Sequence, residues 1–245
     1  MQTSKYVENK INRLPLGFVF TYKMFITDVH RKEAVIKHLN RLASSLKLRK
    51  VSKGRFFKPE TNKFGWYSPL EYEIVKDLLH KKGKLTGYIT GYSYFNEVGL
   101  CLMPMHIIQI SSNYPRTAIK RMHIKIEFLK QDNTVTKQNI HLLQLLDAIR
   151  LIKQIPDTTI DKSVFKLMKM IIQLNESELK TISRLVLKYN PLTRALLGAL
   201  LERTNFIEHL DKLRQSLNPI SSYKLNVSEK ILSTAKYWNI QCLNH

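Results

Sequence analysis

Residues that could catalyse a reaction or bind a metal are scattered through this sequence. The eight histidines and the two cysteines, Cys101 and Cys242, form no close ligand spacing with one another or with carboxylates. Close carboxylate pairs such as Glu71 and Glu73 are two residues apart, so they would not share a helix face. The sequence also has no phosphate-binding glycine loop, zinc-protease motif or serine-hydrolase motif. It therefore predicts a protein that is not an enzyme and has no metal site and no cofactor.

Basic side chains, in contrast, are concentrated in the first quarter of the chain. Residues 1–65 hold 15 of the 40 lysines and arginines and only four of the 19 acidic residues, a net charge of +11. Residues 66–155 and 156–245 carry +5 each. A segment this basic favours polyanions, because binding releases counterions from the phosphate backbone, whereas a membrane surface more often meets a basic amphipathic helix with large apolar anchors. We therefore expect nucleic acid as the partner and no membrane contact.

The candidate nucleic-acid contacts fall on one predicted helix and one predicted hairpin. The helix would run from Arg31 to about Lys47, with its apolar residues within a narrow arc and a mostly basic face opposite. The hairpin would turn at Ser52–Gly54. Helix side chains would reach base edges or phosphates, and hairpin side chains would contact phosphates. The predicted contacts are Arg31, Lys32, Lys37, Asn40 and Arg41 on the helix and Lys50, Lys53 and Arg55 on the hairpin.

The elements before this helix complete a known arrangement. Residues Ser4–Leu14 have apolar side chains at helical spacing and end at the breakers Pro15–Gly17. An extended run, Phe18–Thr21, leads into a short helix over Tyr22–Ile26, which Thr21 could cap. The order helix, helix, helix, basic hairpin is that of the winged helix-turn-helix, whose third helix enters the major groove. The sequence therefore predicts an α+β protein that begins with a winged helix-turn-helix and binds double-stranded DNA.

The rest of the chain is predicted to form two further modules. A capping box at Ser68–Glu71 would open a helix that ends at Lys81–Gly83. A glycine-rich stretch follows, with a short helix near Tyr92–Val98 and strands at Met105–Ser111 and Met122–Leu129. The amphipathic tail would form a helical bundle. Its helices are expected at 140–155, 161–173, 176–188, 191–203, 206–217 and 227–238.

These elements predict three domains. The winged helix-turn-helix would occupy 1–65, a small glycine-rich α/β module 66–155 and the helical bundle 156–245. No segment approaches about 18 uninterrupted apolar residues, and the N-terminus lacks the pattern of a secretory signal. The widely separated cysteines fit a reducing compartment. We therefore expect a soluble, cytoplasmic protein.

Several stretches resemble one known family. They are Lys53-Gly-Arg-Phe-Phe-Lys-Pro59, Leu85-Thr-Gly-Tyr-Ile-Thr-Gly91, Asn96-Glu-Val-Gly-Leu100 and Thr193-Arg-Ala-Leu-Leu-Gly-Ala-Leu-Leu-Glu202. Together they resemble the AbiE-type abortive-infection antitoxins, with the similarity closest to their DUF6088-like relatives. The resemblance implies the antitoxin of a type IV toxin–antitoxin system, which binds inverted repeats in its own promoter and represses the operon. It also implies a nucleotidyltransferase toxin that the antitoxin opposes without forming a stable complex.

Two other functions fit the same residues. A winged helix can also serve as a protein-interaction module, with the positive charge meeting an acidic partner. RNA binding fits the charge equally well, and aromatic side chains could stack on bases. The candidates for such stacking are Tyr6, Tyr22, Phe56 and Phe57, although adjacent positions on one strand suggest that at least one of the two phenylalanines is in the core.

Overall fold

The computed structural model of the protein describes residues 3–26, 32–63, 65–102, 106–207 and 210–242. The fold is α+β, as the sequence predicts. The chain divides into two units, of which the first comprises Met1–Leu78 with Ile119–Lys125 and the second Leu79–Ala118 with Ile126–His245. Among the described residues, no helix has both the length and the apolar character needed to cross a membrane.

The first unit begins with the elements expected near the N-terminus. Helices α1 (Thr3–Asn12) and α2 (Lys32–Ser44) confirm two of the three predicted helices. The short helix predicted between them is a single 3-10 turn, Tyr22–Phe25, and the Thr21 side chain makes no capping hydrogen bond. Helix α2 ends before Lys47 because Leu46 adopts a left-handed φ of 61°. The strands of this region are β1 (Val19–Thr21), β2 (Arg49–Ser52) and β3 (Arg55–Phe57).

These strands form an antiparallel sheet in the order β1-β3-β2. Because side chains alternate along a strand, the adjacent Phe56 and Phe57 lie on opposite faces of the sheet. Phe56 packs in a core with residues of α1 and α2 such as Val7 and Leu39. Phe57 is fully buried, and its ring centroid lies 5.7 Å from that of Trp66. Both faces of the sheet are therefore covered.

Short elements follow the sheet in the first unit. Strands β4 (Thr61–Asn62) and β5 (Gly65–Trp66) pair with each other, and helix α3 (Glu71–Val75) continues into a 3-10 turn, Lys76–Leu78. The predicted capping box before this helix is wrong. Its N-cap is Leu70, whose side chain can accept no hydrogen bond.

The first unit thus reaches beyond residue 65, and contacts with the sheet explain why. The backbone N–H of Val19 in β1 donates to the Glu73 carboxylate of α3 at 2.7 Å. The backbone N–H of Met122 donates to the carbonyl of Val51 in β2 at 3.0 Å. Strand β10 (Ile119–Arg121) therefore lies in the first unit, together with residues that precede it by about 70 positions in the sequence. A division by composition shifts misses such non-local contacts.

The second unit opens with a hairpin where the sequence predicts the end of a helix. Strands β6 (His80–Lys81) and β7 (Lys84–Leu85) pair antiparallel. The two residues between them, Lys82 and Gly83, have φ angles of 50° and 76°. Positive φ at both central residues is typical of a type I′ turn. Gly83 therefore serves a tight turn between strands, and the predicted helix ends five residues earlier, at Leu78.

The predicted strands and short helix of the middle segment are confirmed, except that Met105, the predicted start of the first strand, lies outside the described residues. Strand β8 (Gly87–Thr90) pairs antiparallel with β9 (Ile107–Ser112), which lies between β8 and β11 (Ile124–Lys130). Helix α4 (Tyr92–Glu97) follows β8 directly. Strand β11 starts in the first unit and ends in the second.

Helices form most of the core of the second unit. Asn175 caps α7 and forms a capping box with Glu178, while Asn190 caps α8 by accepting a hydrogen bond from the backbone of Thr193. These caps and the apolar spacing account for the agreement with the predicted starts of α5, α7 and α8. Helix α5 ends at Arg150, and a separate 3-10 turn, Ile152–Gln154, covers most of the remaining predicted span to 155. The helices are α5 (Ile140–Arg150), α6 (Ile160–Ile172), α7 (Glu176–Leu185), α8 (Pro191–Arg203) and α9 (Leu210–Gln215).

The last predicted helix, 227–238, is wrong. Strands β12 (Tyr223–Val227) and β13 (Ile240–Cys242) pair in parallel, and a 3-10 turn, Ala235–Trp238, precedes β13. Val227 lies in β12, and only Ala235–Trp238 of the predicted span is helical. The apolar residues at helical spacing therefore belong to an irregular segment, which buries them without forming a continuous helix.

Candidate nucleic-acid interface

Helix α2 presents a polar face opposite its buried one. Val35, Leu39 and Leu42 are buried, whereas Lys37 and Asn40 are exposed. The exposed residues recur at helical intervals, so they form one continuous face. This face could donate hydrogen bonds from a cation and an amide to a polyanion or to base edges. Its members are Glu33, Lys37, Asn40 and Ser44.

The other predicted helix contacts lie at the margins of this face or outside the described residues. Arg31 falls in the range 27–31, which the structure does not describe. Lys32 is exposed, and its Nζ lies 5.7 Å from the centroid of the Tyr22 ring. Arg41 is exposed as well, but its Nη2 donates to Nδ1 of the buried His38 at 2.7 Å.

A relay of side chains fixes the position of Arg41. His38 is 5% exposed, and its Nε2 lies 3.1 Å from Oε1 of Glu8 in α1. An arginine is always a donor, so Nδ1 of His38 accepts from Arg41 and Nε2 faces the carboxylate. The guanidinium therefore starts from a fixed position and would lose little side-chain entropy on binding an anion.

The hairpin of β2 and β3 holds the remaining predicted contacts. Lys53 is exposed at the turn beside Gly54, whose φ of 75° is one that glycine adopts without strain. Lys50 is exposed with its Nζ 5.7 Å from the centroid of the Phe56 ring. Both ammonium groups therefore lie on the outside of the hairpin, where phosphates could reach them.

Arg55 has a different environment, which the sequence does not reveal. Its Nε and Nη2 donate to Oδ2 of Asp77 at 3.1 and 2.6 Å. Arg121, which is 4% exposed, donates to both oxygens of the same carboxylate and to the carbonyl of Ile74. Burial by itself would raise the pKa of Asp77, but the two guanidinium groups hold it below its ordinary value. Arg55 is therefore committed to an ion pair within the protein.

A groove connects the helix with the hairpin. It has a volume of about 240 Å³ and lies between the end of α2 and strand β2. Ser44 of the exposed helix face and Lys50 of the hairpin both line it, together with Arg49. Arg49 also packs its guanidinium 5.2 Å from the centroid of the Trp66 ring. Sequence reasoning missed Arg49, because no pattern distinguishes it from the other cations around it.

The aromatic side chains considered for RNA stacking are mostly covered. Phe56 and Phe57 are 3% and 0% exposed, so neither presents a ring to solvent. Tyr6 and Tyr22 are half-buried, with the Nζ atoms of Lys10 and Lys32 each 5.7 Å from a ring centroid. These four side chains therefore do not form the exposed stacking platform that single-stranded recognition uses.

Metal-binding side chains are not clustered in the described part of the chain. No group of three or more histidine, cysteine, aspartate or glutamate side chains within it could hold a metal ion. One histidine–carboxylate contact in the second unit, His141 Nε2 to Glu178 Oε1 at 2.7 Å, joins two exposed or half-exposed side chains at a helix start.

Comparison with known proteins gives a family and a fold. The chain resembles the crystal structure of the RV2827C protein from Mycobacterium tuberculosis, with a TM-score of 0.61 over 98% of this chain and 91% of that chain. The sequence identity is 11%, so the likeness concerns the fold alone. Residues 6–182 match the family of unknown function DUF6088. The chain therefore belongs to the DUF6088 family. No functionally curated protein matches the sequence.

Proposed function

We propose that the first unit is a winged helix-turn-helix domain that binds duplex DNA. The observation that carries the proposal is the β1-β3-β2 sheet packed on α1 and α2, which leaves one polar face of α2 exposed. In a winged helix-turn-helix, a helix in this position enters the major groove and the hairpin contacts the adjacent backbone. The net charge of +11 in residues 1–65 supplies the electrostatic attraction.

The contacts divide into two classes by their place in the unit. Lys37 and Asn40 lie on the exposed face of α2, so they would reach base edges. Lys50 and Lys53 on the hairpin would contact phosphates, which position the protein without specifying sequence. Arg41, whose guanidinium is held by His38, would contact a phosphate or a base at the margin of the helix face.

We further propose that the protein is a repressor and antitoxin. The stretches that resemble the AbiE-type antitoxins lie in both units, which supports a role for the whole chain beyond DNA binding. On this account the protein represses its own operon by binding promoter repeats. It opposes a nucleotidyltransferase toxin encoded beside it without forming a stable complex.

A reporter assay in cells tests the two parts of this proposal separately. Repression of a reporter behind the promoter that precedes the gene should be lost with Lys37→Ala and kept with Lys162→Ala, an exposed residue of α6. Growth arrest by the neighbouring gene should be relieved by the wild-type chain. If the wild-type chain did not lower reporter output, the repressor function would be contradicted. If it did not relieve the growth arrest, the antitoxin function would be contradicted.

A second candidate, a protein-interaction module, is supported by an apolar groove in the first unit. Its volume is about 530 Å³, and its lining includes Leu16 and Leu70, which are 52% and 78% exposed. Exposed leucines that line one groove are typical of protein contacts. Two results together would favour this alternative. A protein would co-purify with the wild-type chain but not with Leu70→Ser, and the chain would show no salt-sensitive retention on DNA.

A further inference from the structure

Two neighbouring cavities in the second unit share one lysine. The smaller has a volume of about 140 Å³ and is lined by Lys130, Arg150 and Lys188 together with Asp132 and Tyr189. The larger has a volume of about 600 Å³ and also reaches Lys188. We refer to the two together as the Lys188 cleft. All of it lies within one unit, so its geometry does not depend on the rest of the molecule.

The smaller cavity has an excess of positive charge. Three cations line it against a single carboxylate, that of Asp132, which pairs with Lys130 at 2.8 Å. Arg150 Nη1 donates to the carbonyl of Lys130 at 3.0 Å, and Lys188 Nζ donates to the carbonyl of Asp132 at 3.1 Å. These bonds fix both cations at the rim. An ammonium has three N–H donors and a guanidinium five, so most of their donors remain for an anion.

The larger cavity is lined mainly by uncharged polar groups, and its charged members are Lys188, Arg184 and Glu178, whose carboxylate is paired with His141. Hydroxyls and amides dominate its wall, among them Thr134, Ser177, Thr181 and Asn139. Asn139 is held in place, because its Oδ1 accepts from the backbone of Thr136 at 2.9 Å and its Nδ2 donates to the carbonyl of Thr134 at 2.9 Å. The volume falls in the range of small-molecule sites, about 300–1,000 Å³.

We propose that the Lys188 cleft binds a phosphate monoester of a polar molecule of nucleotide size, such as a nucleoside monophosphate. The phosphate occupies the smaller cavity between Arg150 and Lys188, where a net charge of two positive units matches a dianion. The sugar and base occupy the larger cavity and bond to its hydroxyls and amides. Lys188, which lines both cavities, contacts the phosphate at the point where the two parts of the ligand join.

Isothermal titration of the full chain with uridine monophosphate, adenosine monophosphate, uridine and inorganic phosphate tests this site. We expect at least one monophosphate to bind, and to bind at least tenfold more tightly than uridine, because the charge-assisted bonds to phosphate are the strong ones. Inorganic phosphate should compete with it weakly. No detectable binding of either monophosphate at about 10 mM, or equal affinity for uridine and its monophosphate, overturns the proposal.

Variants locate the binding within the molecule. Lys188→Ala should weaken monophosphate binding about tenfold or more, and Arg150→Gln should do the same. Lys153→Ala, an exposed cation that lines neither cavity, and Lys37→Ala in α2 should leave it unchanged. A thermal melt of each variant checks that the chain is folded. Full affinity in a folded Lys188→Ala variant, or a loss of affinity in Lys37→Ala, would contradict the assignment. Neither result bears on DNA binding by the first unit.

Discussion

We expect substitutions on α2 and on the hairpin to affect DNA binding in different ways. Lys37→Ala or Asn40→Ala should weaken binding to the operator by about 1–3 kcal/mol and binding to unrelated DNA by much less, because a base contact is lost. Lys53→Ala should weaken both to the same extent and lower the salt dependence, because a phosphate contact is lost. Competition binding at a fixed salt concentration measures both effects.

The control for this comparison is Lys5→Ala, which removes an exposed cation of α1 and should change neither affinity by more than a small factor. Lys37→Ala should lower the ratio of operator affinity to affinity for unrelated DNA, and Lys53→Ala should leave that ratio unchanged. If both variants left the ratio unchanged, the assignment of α2 to base contacts would be wrong.

Arg55 should act on stability rather than on DNA. Because its guanidinium is bonded to Asp77, Arg55→Ala should affect DNA binding less than Lys53→Ala does. Asp77→Asn should destabilise the first unit by about 1–3 kcal/mol, since it leaves the buried Arg121 without its carboxylate. The value is below that of a fully buried pair, because the Asp77 side chain is 37% exposed.

The pH dependence of this ion pair has a definite sign. The guanidinium groups lower the pKa of Asp77 in the folded state, so its stabilisation is present above the ordinary value of 3.8 and is lost as pH falls through the lowered pKa. Urea unfolding of the wild type and Asp77→Asn at several pH values measures it. A difference between the two that stayed constant down to about pH 2 would contradict the ion pair.

A buried carboxylate in the second unit, Asp147, should give a pH dependence of stability with the opposite sign. Asp147 is fully buried, and it accepts hydrogen bonds from Tyr88 at 2.8 Å, Ser111 at 2.6 Å and Tyr189 at 3.2 Å. Burial raises the pKa of Asp147, and the hydrogen bonds from Ser111 and Tyr88 offset only part of that increase. The protonated form is therefore favoured by folding.

Stability relative to Asp147→Asn should therefore decline as pH rises. The contribution of Asp147 is fully present below the ordinary value of 3.8 and is lost as pH rises through the raised pKa. Asn keeps one oxygen for the hydroxyl donors and no charge, so the variant should lack this dependence. Urea unfolding of both chains between about pH 4 and 8 provides the measurement. Parallel stability curves would show that Asp147 keeps its ordinary pKa.

At the scale of elements, one glycine controls how the end of the chain packs. A Cβ placed on Gly198 of α8 would lie 2.2 Å from the ring of Trp238. Trp238 is buried, and its Nε1 donates to Glu202 at 2.6 Å, so the ring cannot move without losing a hydrogen bond. Gly198 therefore provides the space that lets the 3-10 turn at Ala235–Trp238 contact α8.

Gly198→Ala should destabilise the protein by about 1–3 kcal/mol, because overpacking exceeds the gain in helix propensity. Urea unfolding checks the value, with Lys162→Ala on the exposed face of α6 as the matched helix control. A stabilised Gly198→Ala variant would show that Trp238 does not pack against α8 as described.

Elements determined by local signals could be predicted from the sequence, and those determined by distant contacts could not. The capping residues Asn175 and Asn190 indicate where α7 and α8 begin, and the apolar spacing of α5 predicts that helix and its start at Ile140. The parallel pair of β12 and β13 depends on residues about 15 positions apart, and the apolar spacing between them resembles that of a helix. Gly83 carries a signal common to helix ends and type I′ turns, which only the pairing of β6 with β7 resolves.

The candidate site follows the same division. The exposure of Lys37, Asn40 and Lys53 could be predicted, because it follows from helical spacing and from a turn. The commitment of Arg55 to Asp77 could not, since the two residues are 22 positions apart and the second partner, Arg121, is 44 positions further along. The fixed orientation of Arg41 by His38 and Glu8 also depends on the packing of α1 against α2.

At the scale of the whole molecule, charge and fold support a division of labour. The first unit combines the largest excess of positive charge with the exposed helix face, which favours duplex DNA. The second unit contains the Lys188 cleft and the larger core, and its charge is smaller. The DUF6088 family match runs from residue 6 to residue 182 and so includes parts of both units.

Fluorescence anisotropy measures whether the first unit recognises duplex DNA of a particular sequence. The full chain would be titrated against labelled duplex from the promoter preceding its gene and against a shuffled duplex, at two salt concentrations. We expect a preference of about 10³ or more for the promoter, with both affinities falling as salt rises. Equal affinity for the two duplexes, falling equally with salt, would contradict it.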